Sequence, residues 1–382
     1  MDSSALSAVS ASPMAVPLID IARYAHGTAE ERGSVASQWD EAFRSVGVCH
    51  LSGIDEWLPP DLIRRARRAA RAFFELPHEE KRRAYLDGVV GYLPLGAEDV
   101  AASAGATSAA PDRVESLNLA GFQEEGCSWH ARPHNLSGCP WEGASWLPPQ
   151  LASALAAYWR GATSLMLLLM SLSEQALQLP PAFFDRSFAQ PASLLRIAWY
   201  PPQAEGSAEG KSLRYGEHTD FDGFTLLHRE GDSADGEMGG LEIQLPDGEW
   251  LALDAPEGTL TINIGDLLQR WTNDRWKATK HRVAQPSRGV SHGRLSVVYF
   301  TGPHPNTLIE CLPSPKCVSN GSPVRYTPIT AHDHVLLKMR AASVGGARTL
   351  KGISGSFSQP LAVFIIATIA ALAFAATRWR SS

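Results

Sequence analysis

Apolar and polar positions along this chain follow two different periods, and the change between them falls near residue 193. Ahead of it the pattern is mostly helical. "TAEERGSVASQWDEAFRSVG" is predicted as a helix, with Thr28 and Glu31 at the spacing of a capping box. "PDLIRRARRAARAFFELP" is predicted as a second helix. Its Leu62, Ile63, Ala66, Ala69, Ala70 and Phe73 alternate with Arg64, Arg65, Arg67, Arg68 and Arg71, and the arginine side is expected to be a solvated face. A long helix covers roughly 149–178, where "SLMLLLMSL" is too short to cross a bilayer and belongs to the core. "VPLID" at 16–20 is a short strand, and the small, polar stretch 97–112 reads as a mobile loop. Past residue 193 the runs "SLLRIAWY", "FTLLH", "LEIQL", "WLALD", "TLTINIG", "HRVA" and "RLSVVYF" are short, β-branched and aromatic, with Gly, Pro and Asp between them. They predict an antiparallel sandwich or barrel, so the expected order is helices first and β-barrel afterwards.

Charge and cysteine usage narrow the class. A formal net charge of -6 over 382 residues argues against a general nucleic-acid binder. Cys49, Cys127, Cys139, Cys311 and Cys317 are scattered, odd in number and free of any CxxC, which favours a reducing compartment over a disulfide framework. Residues 1–14 show no apolar core of the secretory type and are expected to be a disordered leader.

Candidate chemistry appears in "LRYGEHTDFDGFTLL" at 213–227, where His218 and Asp220 stand two apart. In a strand, residues i and i+2 project to one face, so the two side chains can grip one ion. A third ligand must come from downstream, where His228, His281, His292, His304, His332 and His334 are available. His281 is the strongest of these. It opens the "HRVA" strand, 63 residues after His218, which is enough chain to return from across a barrel. Two histidines and one carboxylate, with other positions open, form the ligand set of non-haem Fe(II) oxygenases. "HRE" (His228, Glu230) and "HDH" (His332, His334) repeat the spacing without a matching anion site, and are read as surface or core polar residues. "RLS" supplies such an anion site for the first motif. Arg294 and Ser296 share a strand face, and a guanidinium fork beside a hydroxyl would hold the far end of a dicarboxylic acid.

These residues, with "VPLIDI", "FFELPHEEK", "GYLPLG", "PDRVESLNL", "WYPP" and the run from "GGLEIQL" to "KATKHRV", resemble the 2-oxoglutarate/Fe(II)-dependent dioxygenases. The likeness is to their isopenicillin-N-synthase-like branch and runs over about residues 16–303. The resemblance implies a mainly β fold with flanking helices, built on a double-stranded β-helix (jelly-roll) core. The expected layout is an N-terminal helical and strand region at 15–145 and the core with its backing helix at 146–345. It implies Fe(II) on His218, Asp220 and His281 as the catalytic centre, with O2 as oxidant. It also implies 2-oxoglutarate as co-substrate, its distal carboxylate on Arg294 and Ser296 with Tyr200 a further candidate. The implied activity couples oxidative decarboxylation of 2-oxoglutarate to hydroxylation, desaturation or cyclisation of a small organic molecule. An iron-dependent oxidase that does not use 2-oxoglutarate, and a catalytically silent membrane-tethered scaffold, are the alternatives. Phe221, Phe224 and Phe300 are expected in the core rather than lining a pocket.

The C-terminal "PLAVFIIATIAALAFAATRWRSS" lies outside that resemblance. After a linker at 346–360, residues 361–377 are 17 positions without a charge. At about 1.5 Å per residue they reach roughly 25 Å, slightly short of a ~30 Å hydrocarbon core, and Arg378, Trp379 and Arg380 suit the interface. The expectation is a single-pass tail anchor with the catalytic domain in the cytosol, in the endoplasmic reticulum or mitochondrial outer membrane. A monomer acting on an apolar substrate such as a lipid or terpenoid fits that placement.

Overall fold

The computed structural model describes residues 16–86, 90–98, 100, 111–120, 139, 141–203, 213–230, 240–286, 292–318 and 323–346. The expected leader, the linker beyond 346 and the expected anchor at 361–377 lie outside them. In chain order the first strands are β1 (Leu18–Asp20), β2 (Val48–Ser52), β3 (Gly91–Leu93), β4 (Glu115–Ala120), β5 (Leu194–Tyr200) and β6 (Tyr215–His218). There follow β7 (Phe224–Arg229), β8 (Leu241–Gln244), β9 (Trp250–Ala252), β10 (Leu260–Ile264), β11 (His281–Val283) and β12 (Arg294–Phe300). A small pair, β13 (Leu308–Ile309) and β14 (Ile329–Thr330), closes the series.

One eight-stranded sheet has the order β1-β2-β10-β7-β12-β5-β4-β3, and a four-stranded sheet has the order β6-β11-β8-β9. All seven strands expected after residue 193 are present, and the fold is mainly β with helices. The expected order of helices first and barrel second is corrected, because β1 to β4 from the N-terminal half belong to the main sheet. β2 pairs with β10, and β4 pairs with β5 across six residue pairs. "VCHLS" and "ESLNLA" are short and mixed in composition, so their extended form comes from the pairing partner more than from their own propensity.

Helices cover the outer side. The helix Ala29–Ser45 starts with the expected capping box: Glu31 N–H donates to Thr28 Oγ1 at 3.2 Å, and Thr28 N–H donates to Glu31 Oε2 at 2.8 Å. Its Trp39 and Phe43 pack with Phe224 of β7 at ring separations of 5.4 and 5.6 Å, so Phe224 is core, as expected. The helix Pro149–Ala176 is long and apolar enough to cross a membrane, yet most of its apolar stretch is buried inside the protein. Its Thr163 bonds the Tyr299 hydroxyl of β12 at 2.7 Å, and Ser173 accepts from Trp39 Nε1 at 3.1 Å, which fits the core reading.

Two surface expectations change. On the helix Pro60–Phe74, Arg64 and Arg65 face solvent beside Asp61, but Arg71 reaches Glu230 at 2.6 Å and Arg67 reaches it at 3.4 Å. Arg71 also lies over the Trp199 ring at 5.1 Å. Helical periodicity places all five arginines on one side; only packing shows that the edge of this side meets the sheet. The ends of the expected loop 97–112 are likewise packed. Glu98 is 1% and Asp112 5% exposed, and Asp112 accepts from the backbone N–H groups of Val100 at 2.7 Å and Gly216 at 3.0 Å. A short polar run hides such anchors because their partners are far away in sequence.

Candidate active site

His218 is the last residue of β6, and Asp220 sits just past it, in the turn before β7. The expected single strand for both residues is therefore corrected, although both still face one cavity. His281, the first residue of β11, stands directly across from His218 in the ladder, with ring centroids 4.2 Å apart. Nε2 of each histidine lies 3.7 Å from Asp220 Oδ1, and one ligand atom from each of the three residues falls within 4.8 Å of the others.

The orientation of each group has a visible cause. His218 Nδ1 donates to the Gly216 carbonyl at 2.9 Å and His281 Nδ1 donates to the Thr279 carbonyl at 3.1 Å. A carbonyl can only accept, so the proton is fixed on Nδ1 and the Nε2 lone pair is turned to the shared space. Asp220 Oδ2 accepts from Thr225 Oγ1 at 2.5 Å and Asn263 Nδ2 at 2.7 Å, which leaves Oδ1 toward the histidines. Burial, with His281 alongside, pulls His218 down to about 3, so its ring is neutral at physiological pH. Burial pushes Asp220 up, but the two histidines and the Thr225 and Asn263 bonds outweigh it and hold the carboxyl below its usual range.

The turn carrying Asp220 is also held by two helices. Asp266 and Leu267, at the start of the helix Asp266–Trp271, donate backbone N–H bonds to the carbonyls of Asp220 at 2.8 Å and Phe221 at 3.2 Å. His334, on the helix Ala331–Gly346, donates Nε2–H to the Phe221 carbonyl at 3.1 Å. His334 is thus the core polar residue of the "HDH" motif, and burial pulls it down to about 4, which keeps it neutral. Asp222 is tucked against Gly302, where an added Cβ would come within 2.3 Å of its Oδ2, so only glycine fits there. Burial raises the Asp222 carboxyl well above its usual range.

A cavity of about 130 Å³ opens on these residues, roughly ten times the space one water needs, so it can hold a small molecule. Arg294 and Ser296 of β12 line it with Tyr200 of β5, and Arg294 pairs with Tyr200 in the ladder. The Arg294 guanidinium lies 4.9 Å from the Tyr200 ring centroid. Phe221 and Phe300 also line the cavity, which corrects their expected place in the core. Strand alternation puts Phe300 on the inner side and the turn after Asp220 brings Phe221 there, and sequence cannot tell an inner side that is filled from one that is open.

Several contributors were not singled out from sequence. Arg196 lines the cavity and is held by Glu98 at 2.6 and 3.1 Å, with Ser116 bonded to both. The two-residue spacing of Arg196, Ala198 and Tyr200 in "LLRIAWY" carries the signal for Arg196, because all three share the inner face. Nothing local marks Thr225, Asn263 or Glu98, since each acts on a partner at least five positions away. His228 is buried in the core, where burial pulls it down to about 4, and it lies apart from the three converging side chains.

Known proteins resemble this chain. The 2OG-Fe(II) oxygenase superfamily pattern matches residues 191–303, and that of the N-terminal region of the non-haem dioxygenase in morphine synthesis matches 16–136. Validamycin A dioxygenase of Streptomyces hygroscopicus subsp. limoneus is 31% identical over 317 residues, covering 81% of this chain and 82% of that protein. A 2-oxoglutarate-Fe(II) type oxidoreductase of Emericella nidulans is 27% identical over 330 residues, covering 85% and 89%. The crystal structure of a full-length Neurospora crassa protein in complex with alpha-KG and thymine superposes with a TM-score of 0.70 at 26% identity, covering 86% of this chain and 97% of that one.

Proposed function

This chain belongs to the 2-oxoglutarate/Fe(II) oxygenase superfamily and is a 2-oxoglutarate-dependent dioxygenase, and from that premise we propose which of its residues do the work. Fe(II), 2-oxoglutarate and O2 are its requirements. His218, Asp220 and His281 would hold the metal. The observation that carries this is the convergence of two imidazole Nε2 atoms and one carboxylate oxygen, each turned inward by a bond on its far side. The donor set fits a non-haem Fe(II) centre. Bound there, Fe(II) supplies the redox chemistry that couples decarboxylation of 2-oxoglutarate to oxidation of a substrate by O2. Arg294 and Ser296 would receive the distal carboxylate of 2-oxoglutarate, with Tyr200 beside them. The two sheets then form the double-stranded β-helix that the family likeness implies. Release of succinate from 2-oxoglutarate, measured with and without added iron, tests the assignment. Iron-independent release, or none with iron present, would count against it.

The substrate is a small organic molecule with an apolar face. Leu194, Leu241, Val298, Phe300 and Val335 surround the open part of the cavity, and their role is to orient that face and keep water away. The chain is proposed to act as a monomer.

The residues behind Asp220 lead to a measurable effect. Thr225→Val keeps the side-chain shape but removes the hydroxyl that fixes Oδ2. The expected result is a loss of metal affinity of about 10–100-fold, read by titrating Fe(II) or Mn(II) into the protein. An unchanged affinity would show that Asn263 and the backbone position Asp220 without Thr225.

The apolar stretch 361–377 is proposed to anchor the protein as a single-pass tail, with the catalytic domain in the cytosol at the endoplasmic reticulum or mitochondrial outer membrane. What supports this is composition: no charge occurs between Gly352 and Thr377, and apolar side chains occur all round a helix drawn there. Alkaline carbonate extraction is expected to leave the full-length protein with the membrane and to release a chain ending at Lys351. Release of both forms would rule the anchor out.

A further inference from the structure

Arg214 stands just ahead of β6, four residues before His218. It is 2% exposed, and among the described residues no hydrogen bond reaches its Nη1 or Nη2. Its backbone is tied down on both sides: its N–H donates to the Val283 carbonyl at 2.9 Å, and its carbonyl accepts from Arg113 N–H at 3.0 Å. The guanidinium lies 5.9 Å from the Tyr200 ring centroid, and the Arg294 guanidinium lies 4.9 Å from the same ring. Burial, then the positive charges of Arg294 and Arg113, pull Arg214 down to about 10, so it still carries its charge at neutral pH. A buried cation with no anion on it is costly, and chains that keep one usually do so where a site needs the charge.

We propose that Arg214 is a positioning residue for 2-oxoglutarate, a second positive charge near Tyr200 that stays uncompensated until the distal carboxylate arrives at Arg294 and Ser296. The inference rests on the reading of that anion site given above. Arg214 does not line the cavity, so it acts through the field it sets and through the Tyr200 ring it packs on, not by touching the ligand. Inside a protein such a charge is screened far less than in water. Before the ligand binds, two like charges share the neighbourhood of one ring. The carboxylate relieves that repulsion, so the same residue destabilises the empty protein and strengthens the ligand complex. A purely structural arginine would have the opposite effect on the empty protein.

The test uses the full-length protein loaded with Mn(II) without oxygen. Calorimetry measures 2-oxoglutarate beside 2-oxopentanoate, which has the same carbon chain and no distal carboxylate. Arg214→Met is expected to weaken 2-oxoglutarate about tenfold and 2-oxopentanoate less than about twofold, in keeping with one charge acting at a distance. The melting temperature of the ligand-free protein is expected to rise. Arg214→Gln gives a second neutral replacement should the methionine variant fail to fold, and Arg214→Lys, which keeps the charge, should keep most of the preference for the dicarboxylate. Equal weakening of both keto acids, no weakening of either, or a lower ligand-free melting temperature in the neutral variants would overturn the proposal. Arg294→Lys is measured alongside. If it leaves 2-oxoglutarate affinity unchanged, the anion-site reading itself fails; if it weakens binding while Arg214→Met does not, only the role of Arg214 fails.

Discussion

Replacing His218 or His281 with alanine is expected to reduce iron content to background and to abolish succinate formation. Each variant removes one of three converging ligand atoms, and the two that remain hold a labile metal poorly. Nothing close by can take over, because among the described residues no other histidine, cysteine or acidic side chain joins this cluster. His228→Ala and His332→Ala are the controls. His228 is buried in the core, and the ring of His332 is bonded to its neighbour Asp333 at 3.2 Å, so both variants should retain iron. Metal content is read by elemental analysis and turnover by succinate release. Full iron and full turnover in both His218→Ala and His281→Ala would show that the metal lies elsewhere.

Arg294→Lys is expected to weaken 2-oxoglutarate binding by roughly one to two decades while leaving iron affinity nearly unchanged. The guanidinium is 1% exposed and faces the cavity from β12, beside Ser296. A lysine keeps the charge but offers a single compact ammonium, which cannot make the two parallel bonds of the fork. Losing one charge-assisted hydrogen bond in a buried site costs about 1.5–3 kcal/mol, which sets the size of the effect. It also sets the contrast with the histidine variants: a weakened co-substrate can be restored by raising its concentration, whereas a missing metal ligand cannot. An apparent 2-oxoglutarate affinity equal to that of the unaltered protein would mean that the distal carboxylate binds somewhere else.

The pairing of Arg196 with the segment around Glu98 is hidden at the level of sequence. Glu98 lies in a stretch of small polar residues that carries no period, yet it forms a buried pair with Arg196, 98 positions away. Arg67 and Arg71 pose the same difficulty on a helix whose pattern is clear: the period identifies the face, and Glu230 at the end of β7 decides which part of that face is solvated.

By itself the sequence determined the properties that depend on near neighbours. The two-residue alternation placed Arg294 and Ser296 on one face, the three-residue spacing of Thr28 and Glu31 placed a helix start, and the residue types of His218, Asp220 and His281 named a ligand set. These are short-range consequences of backbone geometry and side-chain chemistry, legible wherever they occur. Only the tertiary structure decided that His281 stands opposite His218, that Asp220 lies in a turn held by two helices, and that Phe300 faces a cavity while Phe224 fills the core. The physical reason is that strand register and packing are set by which distant segments close on each other, and that choice belongs to the whole chain rather than to any window of it.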